Sequence, residues 1–140
     1  MQIGNILSKH QLVPLFFAQD AVADSQTDVD LPTTDANNSV CLNVGYTMPF
    51  DGEIIAVSGN LDTAGSTGSL IIDATINTVQ TTDPVVTITT DTALSDTCRR
   101  NTNPFDANDV IGASITTATW DGTTSDLQVT IWVLLKITGI

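Results

Sequence analysis

Hydrophobic and polar residues alternate along most of the chain beyond residue 40. The clearest case is segment 127–138, where Leu127, Val129 and Ile131 begin an apolar face that continues to Ile137. A period of two is typical of a β-strand that buries one face. The same period predicts further strands at residues 40–46, 53–59, 69–77, 85–90 and 110–119.

Turn sequences separate these segments. Pro49-Phe-Asp-Gly, the Gly/Ser/Thr-rich stretch 62–68, Thr82-Asp-Pro and Asp121-Gly122 all carry residues that favour turns. No helical period lies between them, which argues against alternating strands and helices. We therefore predict an all-β protein, an antiparallel β-sandwich or jelly roll, whose single domain spans residues 39–140.

The N-terminal stretch LVPLFFAQDAVADS, residues 12–25, resembles a secretory signal because an apolar run precedes Ala21-Val-Ala. Pro14 interrupts that run, and Asp20 stands just before the supposed cleavage site. We therefore expect an uncleaved segment, with a weaker strand at 12–18 and an acidic tether at 19–38. Residues 1–38 are predicted to form an extended N-terminal arm. Its predicted anchor consists of Leu12, Val13, Leu15, Phe16 and Phe17.

Charge restricts the partners of this protein. Sixteen acidic residues oppose only Lys9, Arg99, Arg100 and Lys136, which gives a formal net charge of -12. Such a surface disfavours nucleic acid and anionic membranes, since both are bound by clustered basic residues. No apolar run approaches the roughly 20 residues that span a bilayer. We expect neither nucleic acid nor membrane as a partner.

Two features of the sequence suggest contacts between subunits. Trp132 and Leu134 interrupt the polar face of the last strand, so another segment or another subunit is expected to cover part of that face. Arg99-Arg100 is the only basic pair, and Arg binds carboxylates with two hydrogen bonds at many interfaces. The pair is a candidate inter-subunit anchor, with a solvated loop as the alternative.

The sequence shows no catalytic motif. His10 is the sole histidine, no neighbouring feature orients it, and neither a phosphate-binding loop nor a nucleophile elbow is present. We expect no enzymatic activity and no cofactor. Acidic loops at 28–30 and 106–109 leave calcium open as an alternative to ordinary turns. Cys41 and Cys98 either form one disulfide or remain separate small hydrophobes.

Two longer stretches resemble parts of β-sandwich proteins from tailed viruses. PFDGEIIAVSGNLDTAGSTGSLIIDATIN, residues 49–77, resembles a β-hairpin of those proteins, in which a Gly-x-Ile opens one strand and a Thr/Ala/Gly-rich loop follows. FDANDVIGASITTATWDGTTSDLQVTIWV, residues 105–133, looks like the closing half of the same module. Residues 92–103 match nothing in that pattern.

The resemblance implies a structural virion protein. The expected role is a head decoration or cement protein, a homotrimer on the capsid exterior that is assembled in the host cytoplasm and binds the major capsid protein and itself. The alternative is a tail-tip or fibre module that binds a host glycan or receptor. For that alternative Trp120, beside the Asp121-Gly122 turn, is the candidate for stacking on a ligand, with a core position as the plainer interpretation.

Overall fold

The computed structural model describes residues 9–33 and 44–137. In this part of the chain every regular element is a strand, which confirms the predicted all-β fold. None of the described residues forms a helix long and apolar enough to cross a membrane. In chain order the strands are β1 (Lys9–Gln19), β2 (Val29–Asp30), β3 (Tyr46–Thr47), β4 (Gly52–Leu61), β5 (Ser69–Ile76), β6 (Val79–Ile88), β7 (Ala93–Thr97), β8 (Asn103–Phe105), β9 (Val110–Ala118) and β10 (Leu127–Ile137).

The strands form two antiparallel sheets packed as a sandwich. The first sheet has the order β1-β10-β4-β7, and β8 also pairs with β4. The second has the order β2-β9-β5-β6, and β3 also pairs with β9. Buried side chains of both sheets form one core, including Ile54 and Ile131 from the first sheet and Ile72 and Ile115 from the second.

Close packing between the sheets explains one glycine. Gly59 of β4 is buried, and a Cβ at this position would lie 2.4 Å from Cδ1 of Ile72 in β5. Real atoms do not approach so closely, so a larger residue would require the Ile72 side chain to move within the core. A glycine within a strand often marks such an approach.

The predicted hairpin at 49–77 is wrong. Its two strands, β4 and β5, lie in different sheets, and residues 62–68 cross from one sheet to the other. The same is true of β9 and β10, which residues 119–126 connect. Alternation shows which residues face a core, but it does not identify the neighbouring strand, because that partner is distant in sequence.

Most predicted strands are present. The strands predicted at 53–59, 69–77 and 110–119 correspond to β4, β5 and β9, and β10 occupies 127–137. Of the strand predicted at 40–46, residues 40–43 lie outside the described residues, and Tyr46 belongs to β3. The strands β7 and β8 were not predicted.

One predicted turn lies inside a strand. Residues 82–84 belong to β6, which begins at Val79 rather than near residue 85. Pro84 is accommodated because β6 is an edge strand and its ladder to β5 is irregular between Asp73 and Thr75. Edges and bulges are the places where a sheet accepts proline.

The N-terminal segment differs from a detached arm. β1 pairs with β10 over its whole length, from Lys9 opposite Ile137 to Gln19 opposite Leu127. β2, inside the predicted tether, pairs with β9. Pairing of β1 and β2 with the two sheets buries apolar side chains such as Leu31, which an extended arm would leave exposed to water. The predicted boundary at 38/39 falls within 34–43, outside the described residues.

Candidate interaction face

The outer face of the first sheet carries the candidate contact residues. Pairing in register places side chains of β1, β10 and β4 in rows across this face. Leu12 lies opposite Leu134, and in the next row Pro14 lies opposite Trp132, which lies opposite Ala56. The side chain of Leu12 is 50% exposed, while Trp132 and Leu134 are half-buried. We call Leu12, Pro14, Trp132 and Leu134 the apolar patch.

Basic residues surround one end of this sheet. His10 lies opposite Lys136 in the row beyond the apolar patch, and Lys9 begins β1 at the same end. The remaining cations, Arg99 and Arg100, lie in the β7–β8 loop, which reaches Glu53 at the start of β4. All four basic residues of a strongly acidic chain are therefore concentrated at what we call the cationic end.

The opposite end is acidic. Asp126 accepts a hydrogen bond from the Ala21 amide at 3.0 Å, and its own amide donates to Asp62 Oδ1 at 2.8 Å. A hydrogen bond between the side chains of Asp20 and Asp126 raises the pKa of Asp20, and the negative charge of Asp126 raises it further. These carboxylates follow or precede strand ends opposite the cationic end. Asp51 and Asp106 lie at the cationic end as well, so the two ends differ in charge because the basic residues are found only at the cationic end.

Arg100 is bound within its own chain. Its Nε donates to Oε1 of Glu53, and the Asn101 amide donates to Oε2. Glu53 is only 1% exposed. Burial alone would raise the pKa of Glu53, but the hydrogen bonds from Asn101 and Arg100 together lower it. Arg100 therefore compensates a buried charge, although its own side chain is 53% exposed, and Arg99 is the exposed member of the pair that is not bound to Glu53.

Two predicted anchor residues face the core instead of a partner. Leu15 is 6% exposed and Phe17 is fully buried, and the Phe17 ring packs edge-on against Tyr46 with 5.5 Å between ring centroids. Their neighbours Leu12 and Phe16 point outward because side chains alternate along β1. Val13 is half-buried against the core. The apolar run 12–17 thus divides between core and surface.

Pro14 occupies the free edge of β1. The Phe16 carbonyl accepts from Tyr46 Oη at 3.2 Å, and the Ala18 amide donates to the Pro32 carbonyl at 3.1 Å. These groups point away from β10, so by alternation the nitrogen of Pro14 does too. The proline costs no hydrogen bond to β10 and removes a donor from the exposed edge, which disfavours pairing with another strand.

Beside the apolar patch lies an open groove on the same face. It has a volume of about 650 Å³ and crosses β1, β10, β4 and β7 at the rows of residues 128 and 130. Its lining residues are Phe16, Ser58, Gly59, Asn60, Ala93, Leu94, Ser95, Gln128 and Thr130. A smaller hollow of about 310 Å³ shares Asn60 and Gln128 with it and extends to Asp62 and Asp126.

The acidic loops considered for calcium act as turn supports. Asp109 accepts hydrogen bonds from Asn77 Nδ2 at 2.7 Å and from the Asp106 amide at 2.8 Å. Asp28 accepts from Gln80 Nε2 at 2.9 Å. Among residues 9–33 and 44–137 no cluster of three His, Cys, Asp or Glu side chains is arranged to hold a metal ion.

Trp120, Cys41 and Cys98 are the remaining candidate residues from the sequence. Trp120 is 2% exposed, in agreement with the plainer interpretation of a core position. Cys98 is half-buried, and its Sγ donates to the Ile54 carbonyl at 3.3 Å. Cys41 lies outside the described residues, so its pairing with Cys98 stays a prediction.

Sequence reasoning missed the polar part of this face. Ser58, Asn60, Gln128 and Thr130 occupy the outward positions of β4 and β10, and alternation alone marks Gln128 and Thr130 as outward. Their meeting in one groove depends on the pairing of β4 with β10. More than 60 residues separate those strands in sequence, so no local signal reveals the groove.

Comparison with known proteins gives a likeness of fold. No protein-family model and no curated protein sequence matches the chain. The sandwich is similar to a chain in the acid-stable capsid structure of the Helicobacter pylori bacteriophage KHP30, with a TM-score of 0.51 and 6% identity over 95% of this chain and 100% of that one. A chain of Desmodium yellow mottle tymovirus gives a TM-score of 0.40 at 9% identity, covering 100% of this chain and 93% of its own.

Proposed function

We propose that this protein is a structural virion protein that decorates or cements the head of a tailed virus. The observation that carries the proposal is the fold: the sandwich matches the full length of a chain from a bacteriophage capsid structure. The partners would be the major capsid protein and further copies of this chain, on the capsid exterior.

The apolar patch supplies the adhesive contact in this proposal. Burying apolar surface stabilises a contact by about 25 cal/mol per Å², and specific interfaces bury roughly 800 Å² on each partner. Leu12, Pro14, Trp132 and Leu134 would form the dry centre of such an interface. Polar residues of neighbouring strands would form its rim.

Charge would orient the protein on the shell. With a net charge of -12, most of the surface repels another acidic surface. The cationic end borders the apolar patch, so a carboxylate-bearing subunit meets the least repulsion there. Arg99, which is exposed, remains a candidate anchor at this end, whereas Arg100 is held by Glu53.

The proposed assembly state is a homotrimer. A decoration protein that bridges several shell subunits gains affinity from several linked contacts, since each further contact forms within one complex. Sedimentation equilibrium of the purified protein is expected to give three times the chain mass of 14.8 kDa. A single-chain mass at all concentrations would contradict the trimer but not the shell contact.

The proposal is tested by adding purified protein to virus shells that lack it and measuring the bound fraction after sedimentation. Leu12→Ser is expected to reduce binding at least tenfold, because it removes the most exposed side chain of the apolar patch. Val79→Ser is the matched control, since Val79 is 69% exposed on the other sheet. Equal loss for both variants, or no binding by the unaltered protein, would contradict the proposal.

The alternative of a tail-tip or fibre module loses its candidate ligand residue. Trp120 is buried at the end of the second sheet's β9 and cannot stack on a ligand from solvent. A ligand site in such a module would need other residues.

A further inference from the structure

We infer that the groove on the first sheet binds a neutral oligosaccharide. The volume of about 650 Å³ lies within the range of roughly 300–1,000 Å³ found for small-molecule sites. The groove lies two to four residues along β10 from Trp132, so it is beside the apolar patch and not beneath it. This assignment applies whether the protein is mounted on a head or on a tail.

The chemistry of the lining favours a polyhydroxylated ligand. Ser58, Ser95 and Thr130 present hydroxyl groups, while Asn60 and Gln128 present amides. Each hydroxyl or amide both donates and accepts hydrogen bonds, which is the complement that sugar hydroxyls require. None of these five side chains hydrogen bonds to another residue within 9–33 or 44–137, so their capacity is available to a ligand.

Apolar side chains lie at the two sides of the groove, beside the hydroxyl and amide groups. Phe16 on β1 is 40% exposed at one side of the groove, and Ala93 on β7, opposite Asn60, lies at the other side. A pyranose ring has an apolar face of C–H groups that can pack on an aromatic ring, while its hydroxyls extend to the side. An exposed Phe beside hydroxyls and amides matches both parts of such a ring.

Charge selects a neutral saccharide over an acidic one. No ionised side chain lines the larger groove, and the adjoining hollow contributes Asp62 and Asp126. An anionic sugar would gain no ion pair here and would be repelled by the acidic end and by the net charge of -12. The groove is built on paired strands, so the backbone fixes the positions from which its side chains extend before a ligand arrives.

The test uses isotope-labelled full-length protein and nuclear magnetic resonance. Maltohexaose, cellohexaose, mannohexaose and the hexamer of N-acetylglucosamine are titrated separately, and a galacturonic acid oligomer serves as the charged probe. At least one neutral probe is expected to shift the side-chain amide signals of Asn60 and Gln128 in a saturable way. The charged probe is expected to shift them far less.

Variants distinguish the groove from the shell contact. Gln128→Ala and Phe16→Ala are expected to weaken binding of the active probe at least tenfold, whereas Gln11→Ala, an exposed position of β1 outside the groove, and Leu12→Ser leave it unchanged. Gln128 is exposed, so a thermal melt of its variant is expected to match that of the unaltered protein. The inference is overturned if no neutral probe shifts Asn60 and Gln128, if the charged probe binds equally well, or if Leu12→Ser alone abolishes binding.

Discussion

At the scale of single residues, the outer side of the first sheet combines half-buried apolar side chains with a buried carboxylate, Glu53, that is bound by Arg100. Trp132 and Leu134 break the polar face of β10, and the structure shows both half-buried beside β1. Arg100 was a candidate for an external carboxylate, but it binds Glu53 of its own chain. Nothing local links these two residues, because the contact joins positions 47 residues apart and arises only when the β7–β8 loop reaches β4.

Replacing Arg100 with Met is expected to destabilise the fold by roughly 1–3 kcal/mol, because Glu53 would stay buried with one of its hydrogen bonds lost. The control is Arg99→Met, which changes the charge equally at an exposed neighbouring position and is expected to cost less than about 0.5 kcal/mol. Urea denaturation at neutral pH measures the free energy of unfolding of both variants. Equal effects would show that Arg100 does not compensate Glu53.

The pH dependence of stability tests the contribution of the ionised Asp121 carboxylate. It accepts hydrogen bonds from the amides of Ser66 and Thr67 and from the Ser66 hydroxyl, and thereby connects the two loops that cross between the sheets. These hydrogen bonds, that from the Ser66 side chain first, lower the pKa of Asp121. A lowered pKa in the folded state gives stability that is present above the unfolded value of about 3.9 and is lost as the pH falls below it.

Asp121→Asn is therefore expected to lower the melting temperature at pH 7, and its difference from the unaltered protein should narrow progressively below about pH 4. Asp91→Asn is the control, since Asp91 is exposed and makes no side-chain hydrogen bond to another described residue. Melting curves followed by circular dichroism measure both variants. A difference that stays constant down to strongly acidic pH would contradict the role of the ionised carboxylate.

At the scale of elements, alternation succeeds where one face of a strand is buried. It found β4, β5, β9 and β10, because each contributes regularly spaced side chains to the core. It missed β7, whose residues are almost all exposed, and β8, which has only three residues. It also could not assign strands to sheets, and so the hairpin predicted at 49–77 proved to be a crossing between the two sheets.

Two adjacent phenylalanines test whether β1 is an integral strand of the domain or a loosely attached arm. Phe17→Ala is expected to cost roughly 3–5 kcal/mol because the side chain is fully buried. Phe16→Ala, on the opposite face of the same strand, is expected to cost less than about 1 kcal/mol. Urea denaturation compares them. Two small effects would indicate that β1 is a loosely attached arm, as the sequence alone suggested.

At the scale of the whole molecule, the outer face of the first sheet changes in charge and polarity from one end to the other. From the cationic end, the rows pass through the apolar patch to the neutral groove and then to the acidic end. The central rows offer dry contact area, and the groove offers hydrogen-bonding groups. A sandwich that adheres to a shell through the patch would keep the groove at its side, open to solvent.

The position of this protein in purified virions tests the proposed decoration role. Heads and tails are separated, and the chain is quantified in each fraction by mass spectrometry against the major capsid protein. A decoration protein is expected with the heads, in a constant ratio to the major capsid protein, and is expected to be released as intact folded protein. A chain found only with tails, or absent from the particle, would contradict the proposed decoration role.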